Sequence, residues 1–154
     1  MNYTVIRDTR EKENQGWYFS KYKECLGTMV KKLDSGDYSL EGFESILSIE
    51  RKGSVAEFAH NVIEQRFVNE IERLELYKYS FIILEFELTD MLLYPHNCGL
   101  PPRVVSKCKF SGKFVMKKTV ELLMKYNTKI LFCGNSGKEM ASCIFKEVVN
   151  NGNN

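Results

Sequence analysis

The sequence has no long apolar run, no paired cysteine motif and no strong excess of one charge. No apolar stretch approaches the ~20 residues that span a bilayer, and the N-terminus is polar, so no membrane segment is predicted. The five cysteines are widely spaced and odd in number, which argues against a disulfide framework and a zinc site. The formal net charge is only +2, so any surface for a polyanion must be local.

The composition is otherwise that of an ordinary globular protein. Hydrophobic residues make up 44% of the 154 residues and charged residues 27%, enough to form a packed core. No internal repeat or composition break divides the chain. We therefore predict one domain over residues 1–150, followed by a disordered, Asn-rich tail over residues 151–154.

Short apolar segments alternate with segments of helical periodicity, which predicts an α/β protein with a central sheet flanked by helices. Strands are predicted at 3–8, 28–33, 46–52, 81–84 and 129–132. Helices are predicted around 18–26, 55–74, 116–124 and 140–148. Ser54 is the expected N-cap of the second helical region, and a loop with Pro95, Pro101 and Pro102 precedes the third.

The strand that ends at Lys52 carries a pattern with chemical meaning. Side chains alternate along a strand, so Glu50 and Lys52 share one face. If Asp37 lies beside that strand, two carboxylates and an ammonium group meet. Oxygen ligands suit a hard cation such as Mg²⁺, and the set suits hydrolysis of a phosphodiester bond. Lys52 would hold the attacking water or help to deprotonate it.

Three short motifs, in order, resemble the XPF-type structure-specific nuclease domain of the PD-(D/E)xK restriction-endonuclease-like superfamily. They are Val5-Ile6-Arg7-Asp8-Thr9-Arg10-Glu11, Gly36-Asp37 and Glu50-Arg51-Lys52. The resemblance spans roughly residues 3–86 and implies a restriction-endonuclease-like core with a mixed sheet.

The resemblance also assigns roles to the residues of these motifs. It implies that Asp37 and Glu50 are metal ligands and that Lys52 is the catalytic lysine. Asp8, Arg10 and Glu11 would line the same pocket as further catalytic residues, with Asp8 as a third metal ligand. Arg51 should point to the opposite face of its strand.

The activity that the resemblance implies is a Mg²⁺- or Mn²⁺-dependent endonuclease acting on DNA. Branched, flapped or nicked DNA would be cut during repair or recombination. Relatives often carry a tandem helix-hairpin-helix module, which has no signature here, so DNA recognition is expected from this domain, a homodimer mate or another protein. A compact version suits a bacteriophage or bacterial protein in the bacterial or phage-infected cytoplasm, or the nucleus if the source is eukaryotic.

One departure from the family pattern leaves a second hypothesis open. The position of the family's final Asp is occupied by Ala56, and Glu57 follows one residue later. A catalytically inactive nuclease-fold module that binds DNA or dimerises is therefore the alternative. The retention of Asp37, Glu50 and Lys52 argues against it, because clustered like charges have no benefit for stability.

Basic residues suggest two surfaces for DNA. The most basic stretch, Arg103 to Lys118, supplies candidate contacts to the DNA backbone, although solvation alone explains it about equally well. These candidates are Lys107, Lys109, Lys113 and Lys117. Arg66 and Arg73, with Glu70 between them, are interpreted first as a solvated, salt-bridged helix face and second as a grip on phosphates.

The segment Gly134 to Lys138 lacks the full spacing of a nucleotide-binding phosphate loop. A strand-to-helix turn with Ser136 as the cap is the preferred interpretation. Nucleotide hydrolysis remains a third hypothesis, which predicts nucleotide binding that Lys138→Ala abolishes.

Overall fold

A six-stranded mixed sheet forms the centre of the protein, as a computed structural model describing residues 1–152 shows. The strands are β1 (Tyr3–Arg7), β2 (Cys25–Val30), β3 (Tyr38–Leu40), β4 (Leu47–Lys52), β5 (Tyr79–Leu84) and β6 (Lys129–Phe132). Their order across the sheet is β2-β1-β3-β4-β5-β6, and β3 is antiparallel to both of its neighbours. The other neighbouring pairs are parallel.

Helices cover the sheet and enclose two hydrophobic clusters. They are α1 (Val55–Asn61), α2 (Gln65–Leu74), α3 (Leu88–Leu93), α4 (Pro102–Val105), α5 (Gly112–Lys125) and α6 (Gly137–Asn151). One cluster joins Phe58, Phe67 and Met91 to Ile82, and the other contains the fully buried Phe145. The predicted α/β class with a mixed central sheet flanked by helices is confirmed.

The predicted helix over residues 18–26 is wrong. Residues 8–24 form turns and irregular structure, and Cys25 begins β2 instead of ending a helix. The segment is held by two near neighbours, Trp17 and Phe19, which are both buried against Tyr38. The tertiary packing of these rings determines the conformation of the segment, although the nearby tyrosines have the spacing of a helix face. As a result β2 begins three residues earlier than the strand predicted at 28–33.

Helix α5 is present as predicted, but the apolar stripe that indicated it does not form the core. Val120, Leu123 and Met124 are exposed, and Met116 is half-buried. The buried face carries other residues, namely Gly112, Val115, Thr119 and Leu122. An apolar face of α5 is thus open to solvent.

The remaining differences concern short elements and the end of the chain. The predicted proline loop contains α3 and α4, which no periodicity indicated because both are short. The last helix, α6, runs to Asn151 and overlaps the predicted tail of residues 151–154, of which 153 and 154 lie outside the described residues. No helix within residues 1–152 is long and apolar enough to cross a membrane.

Candidate active site

Asp37 lies directly across from Glu50 in the sheet. Tyr38 pairs with Ile49 in the antiparallel register, so Asp37, which precedes Tyr38, faces Glu50, which follows Ile49. The Asp37 N–H donates to the Ile49 carbonyl at 2.8 Å. Gly36 has a φ of +77°, and a Cβ there would collide with the Ser48 hydroxyl. Glycine is therefore required for the tight approach that delivers Asp37 to β4.

Glu50 and Lys52 share a face of β4, as predicted, and their side chains are in contact. The Lys52 ammonium donates to Glu50 Oε1 at 2.7 Å and lies 3.4 Å from Glu70 Oε1 on α2. It also lies 5.4 Å from the centre of the Phe67 ring. Both Glu50 and Lys52 are buried, so contacts with the sheet and with α2 fix the positions of their side chains.

The charged forms of the half-buried Asp37 and the buried Glu50 are both disfavoured. Burial raises the pKa of Asp37 to about 7; the hydrogen bond from the Arg51 backbone opposes this rise, and the charge of Glu11 adds to it. Burial and the charge of Asp37 likewise raise the pKa of Glu50 well above its usual value. Burial together with neighbouring negative charge therefore makes the ionised carboxylates costly, and a bound cation would reduce that cost.

The charge of Lys52 is stabilised by its neighbours. Burial opposes the ammonium form, but Glu50 and Glu70 outweigh that effect and raise the pKa of Lys52. Lys52 therefore carries its proton at neutral pH. Glu70 belongs to this site, although its sequence pattern predicted a solvated helix face. The helical spacing around Glu70 contains no signal of its contact with Lys52 on β4.

Asp8 supports the site from one side. Its two carboxylate oxygens accept three hydrogen bonds, from Arg10 N at 2.8 Å, Arg10 Nε at 2.6 Å and Leu33 N at 2.6 Å. Burial would raise the pKa of Asp8, but these donors lower it. Asp8 is buried and lines neither cavity at Asp37, whereas Arg10 lines both. Asp8 thus orients Arg10 toward the carboxylates.

Glu11 and Arg51 form a second ion-pair network beneath the site. Arg51 Nη1 lies 3.2 Å from Glu11 Oε1, and Nη2 lies 2.7 Å from Glu85 Oε2. The other carboxylate oxygen of Glu85, Oε1, accepts a hydrogen bond from the Trp17 indole at 2.9 Å. Arg51 therefore points away from Lys52, as predicted. Glu11 lines a cavity together with Asp37 and Glu50, so its carboxylate lies at the edge of the candidate site.

Ala56 and Glu57 differ in their relation to the site. Ala56 packs against the hydrophobic cluster beneath α1. The Glu57 carboxylate accepts a hydrogen bond from the Gly53 N–H at 3.1 Å and lines the cavity that holds Asp37 and Glu50. Ser54 caps α1 as predicted, since its hydroxyl accepts from the Glu57 N–H at 3.2 Å. Glu57 is therefore near the site, but its carboxylate is hydrogen-bonded to the backbone just before α1.

Two small cavities meet at Asp37 and Glu50. One, of about 170 Å³, extends toward Glu70 and Arg73 and is called the site cavity below. The other, of about 220 Å³, extends toward Glu11 and Glu57. Arg10 lines both cavities, so this one cationic side chain lies close to both Asp37 and Glu50.

The protein side chains at this site fit a divalent cation that takes most of its ligands from water and phosphate oxygens. Within residues 1–152, no three Asp, Glu, His or Cys side chains are arranged to hold a metal by themselves. Asp37 and Glu50 offer two carboxylates, and Mg²⁺ is commonly held by one or two carboxylates with water and phosphate oxygens completing the shell. The residues therefore fit a metal that is shared with a phosphate-containing ligand.

The predicted DNA-binding lysines lie elsewhere. Lys107 and Lys109 are exposed in the segment between α4 and α5, and Lys113 and Lys117 are exposed on α5. None of the four lines the two cavities at Asp37. Arg66 pairs with Glu64 at 2.6 Å, as expected for a solvated helix surface.

The segment at residues 134–138 forms a strand-to-helix turn, as predicted. Ser136 occupies the N-cap position of α6, although its side chain makes no capping hydrogen bond. Lys138 lies over the rings of Phe19 and Tyr22, with its Nζ 5.8 Å and 5.7 Å from their centres. Its ammonium is therefore directed toward aromatic side chains, away from the backbone N–H groups of the turn.

Comparisons with known proteins identify the family and the fold. Residues 7–145 match the model of the ERCC4 domain family. The fold is similar to that of XPF from Aeropyrum pernix, with a TM-score of 0.60 and 19% identity over 90% of this chain and 60% of that chain. It is also similar to XPF from Aeropyrum pernix in complex with DNA, with a TM-score of 0.65 and 18% identity over 97% of this chain and 66% of that chain.

These similarities define the fold, and the chain spans less than two thirds of the length of both solved structures. No curated protein sequence matches it significantly. The restriction-endonuclease-like core expected from the motifs is the core of an XPF-type nuclease domain.

Proposed function

Because the chain belongs to the ERCC4 domain family, we propose that it is a metal-dependent DNA endonuclease that hydrolyses phosphodiester bonds. The observation that carries the proposal is the meeting of Asp37, Glu50 and Lys52 at one edge of the sheet. Two neighbouring carboxylates whose pKa values are both raised, beside a protonated lysine, form an arrangement suited to a cation and a phosphate.

Each residue has a role in the proposed reaction. Asp37 and Glu50 hold Mg²⁺ or Mn²⁺, which when bound neutralises charge on the phosphate and lowers the pKa of coordinated water. Lys52 acts as an ammonium group that holds the phosphate or the attacking water, since its raised pKa disfavours the neutral amine. Arg10 adds positive charge at the phosphate, and Asp8 holds Arg10 in place. Glu11 orients Arg51, whose backbone N–H binds Asp37.

The substrates proposed are branched, flapped or nicked DNA, and the setting is repair or recombination. The support is the family membership, together with the likeness to an archaeal XPF structure solved in complex with DNA. Lys107, Lys109, Lys113 and Lys117 are proposed to contact the DNA backbone away from the cut, because all four are exposed and follow one another along the loop and α5.

A second copy of this chain is the partner proposed for the exposed face of α5. Val120, Met124 and the half-buried Met116 line a groove there together with Lys117 and Glu121. Two antiparallel copies of this face would bury the apolar side chains of both chains against one another.

The rival proposal is a nuclease fold that binds DNA without cutting it. Ala56 favours it, because this position contributes no carboxylate and Glu57 is bound to the Gly53 N–H. The geometry of Asp37, Glu50 and Lys52 favours the active enzyme, since two adjacent carboxylates with raised pKa values are costly to ionise unless a cation binds.

The decisive experiment incubates the purified protein with labelled flap, fork, nicked, single-stranded and duplex DNA, with Mg²⁺, Mn²⁺ or chelator. Metal-dependent cleavage that Asp37→Asn and Lys52→Ala each reduce by at least about 100-fold is expected. Glu41→Gln, an exposed residue outside both cavities, should cut normally. Binding without cutting under every condition supports the inactive module instead.

A further inference from the structure

A larger cavity, called the side cavity here, adjoins the site cavity. Its volume is about 370 Å³, and it is bordered by Asp34, Ser35 and Arg73, which also line the site cavity. The boundary between the two cavities is therefore made of side chains that face both. A ligand held at Asp37 and Glu50 can extend into the side cavity past these three residues.

The inner surface of the side cavity is largely apolar. Leu76, which follows α2, is 82% exposed, and the half-buried Tyr77 stands next to it. Burial raises the pKa of the Tyr77 hydroxyl, so this ring presents a neutral phenol at neutral pH. A leucine this exposed contributes little to the core, and with Tyr77 it offers a surface on which a flat apolar group can pack.

The charges around the side cavity distinguish between the parts of a nucleotide. Asp34 and Glu44 line it, and one oxygen of the Glu44 carboxylate is paired with Lys31 at 2.9 Å. The remaining carboxylate oxygens accept hydrogen bonds from the amino and imino groups of a base, whereas Asp34, which is unpaired within residues 1–152, repels a phosphate. Arg73 stands at the boundary with the site cavity, and it takes part in no ion pair among the described residues. Arg73 thus stands next to the phosphate position, with Asp34 at the same boundary. The surface beyond this boundary includes Leu76, Tyr77 and Glu44.

Ser35 adds a polar group at the same boundary. Its hydroxyl is buried and has no hydrogen-bond partner within residues 1–152, although the Ser35 carbonyl accepts from the Ser48 hydroxyl at 3.0 Å. A buried hydroxyl without a partner is costly, and a ligand that supplies a hydrogen bond would remove that cost.

From these features we infer that the side cavity binds an unpaired nucleobase of the nucleotide next to the scissile phosphate. The base packs on Leu76 and Tyr77, and its phosphate lies toward Arg73. A base inside a duplex is paired and stacked, so it enters the side cavity only after unpairing. The cavity therefore selects DNA with single-stranded nucleotides beside the cut, an inference that rests on the proposed nuclease function.

The test removes single bases from a flap substrate. A series of flaps carries one abasic analogue at successive positions on either side of the cut, and kcat/KM is measured for each. One position should lower kcat/KM by about 10-fold, the size expected for loss of one base stacked on the protein. Leu76→Ser should lower kcat/KM for the intact flap by a similar factor and have little further effect on the abasic flap.

The matched control makes the same change at another exposed leucine. Leu26, on the edge strand β2, is 70% exposed and lies outside both cavities, so Leu26→Ser should leave the intact and abasic flaps unchanged relative to wild type. The inference is overturned if no abasic position matters, or if Leu76→Ser lowers kcat/KM by the same factor for intact and abasic flaps.

A binding measurement separates this inference from the proposed function. Flap DNA with 2-aminopurine at the sensitive position, or at the flap base if nothing is cut, is titrated with protein in chelator. A fluorescence change that Leu76→Ser abolishes supports the base site even if no metal produces cleavage, in which case only the nuclease proposal fails. Cleavage without any base-dependent signal retains the nuclease and overturns the base site.

Discussion

The backbone N–H of Arg51 donates a hydrogen bond of 2.8 Å to the Asp37 carboxylate, so the residue between Glu50 and Lys52 holds the third member of the site. The strand that supplies two catalytic candidates thus also orients the other one. The position of Asp37 depends on the turn before it, where Gly36 has a positive φ and touches Ser48.

The first prediction concerns this turn. Gly36→Ala should lower the free energy of unfolding by about 2 kcal/mol, because it adds backbone strain and a collision with Ser48. It should also abolish stabilisation by Mg²⁺. Gly42→Ala is the control, since Gly42 has a φ of +83° with no atom near its Cβ. That variant should lose stability but keep its response to metal. Denaturant unfolding with and without Mg²⁺ measures both quantities.

The second prediction concerns pH. The pKa of Asp37 is raised to about 7, so the folded protein holds this proton at pH values where the unfolded chain has released it. Metal-free stability should therefore fall as pH rises toward 7, because the folded state binds more protons. Metal competes with the proton, so one fixed concentration of Mn²⁺ should raise Tm by about 5 °C at about pH 8 and by less than about 1 °C at about pH 5.5. A metal response independent of pH would contradict the assignment.

The third prediction separates stability from function at the same carboxylates. Asp37→Asn removes a negative charge that burial disfavours, so it should raise the metal-free Tm at about pH 8 by about 3 °C. Glu50→Gln should raise it less, because it also removes the ion-pair partner of Lys52 at 2.7 Å. Each should eliminate the rise in Tm on adding metal. Thermal unfolding of both variants with and without Mn²⁺ is the measurement. A decrease in metal-free Tm would show that these charges are compensated in the native state.

The fourth prediction assigns a positioning role to Glu70. Its carboxylate helps to raise the pKa of Lys52, so Glu70→Gln should lower that pKa and move the alkaline limb of the pH profile of kcat to lower pH. Glu72, on the same helix, instead accepts from the Tyr126 hydroxyl at 3.2 Å. Glu72→Gln should leave the profile in place. A lower kcat with an unshifted profile in Glu70→Gln would indicate a purely structural role.

The fifth prediction concerns the exposed face of α5. Met124 is 85% exposed, so Met124→Asp should leave Tm within about 2 °C of wild type if the chain is monomeric. In a dimer formed through this face it should shift the mass measured by light scattering from two chains toward one. Leu93→Asp, on α3, is the control for an exposed apolar residue outside the groove. A wild-type protein that is monomeric at all concentrations would exclude the proposed partner.

Much of the architecture could be predicted because the controlling signals are local. The runs that form β4, β5 and β6 and the periodic helices α2 and α6 depend on neighbouring residues. By contrast, β3 has three residues, too few to show an alternating pattern, and its place between β1 and β4 is a property of the assembled sheet. The segment around Trp17 and Phe19 is irregular because distant residues bury both rings.

The site could be predicted to the extent that its residues lie on one strand or in a recognisable motif. Glu50 and Lys52 are separated by two positions, so their shared face follows from strand geometry. Glu70 and Arg73 come from α2, whose orientation over β4 depends on the packing of Phe67 and Ile71. The spacing of residues in the sequence does not indicate that orientation. The hydrogen bonds that occupy Asp8 also require the fold, because one donor is Leu33, 25 residues away.

The backbone of Asp37 bridges the two halves of the sheet: its carbonyl accepts from Asp8 at 2.7 Å, and its N–H donates to Ile49 at 2.8 Å. The acid that would bind metal is thus placed only when β1 and β4 have both docked on the short strand between them. A chain still emerging from the ribosome, or one that has partly unfolded, lacks the pair of carboxylates. The proposed metal site is in this way confined to molecules whose sheet is complete.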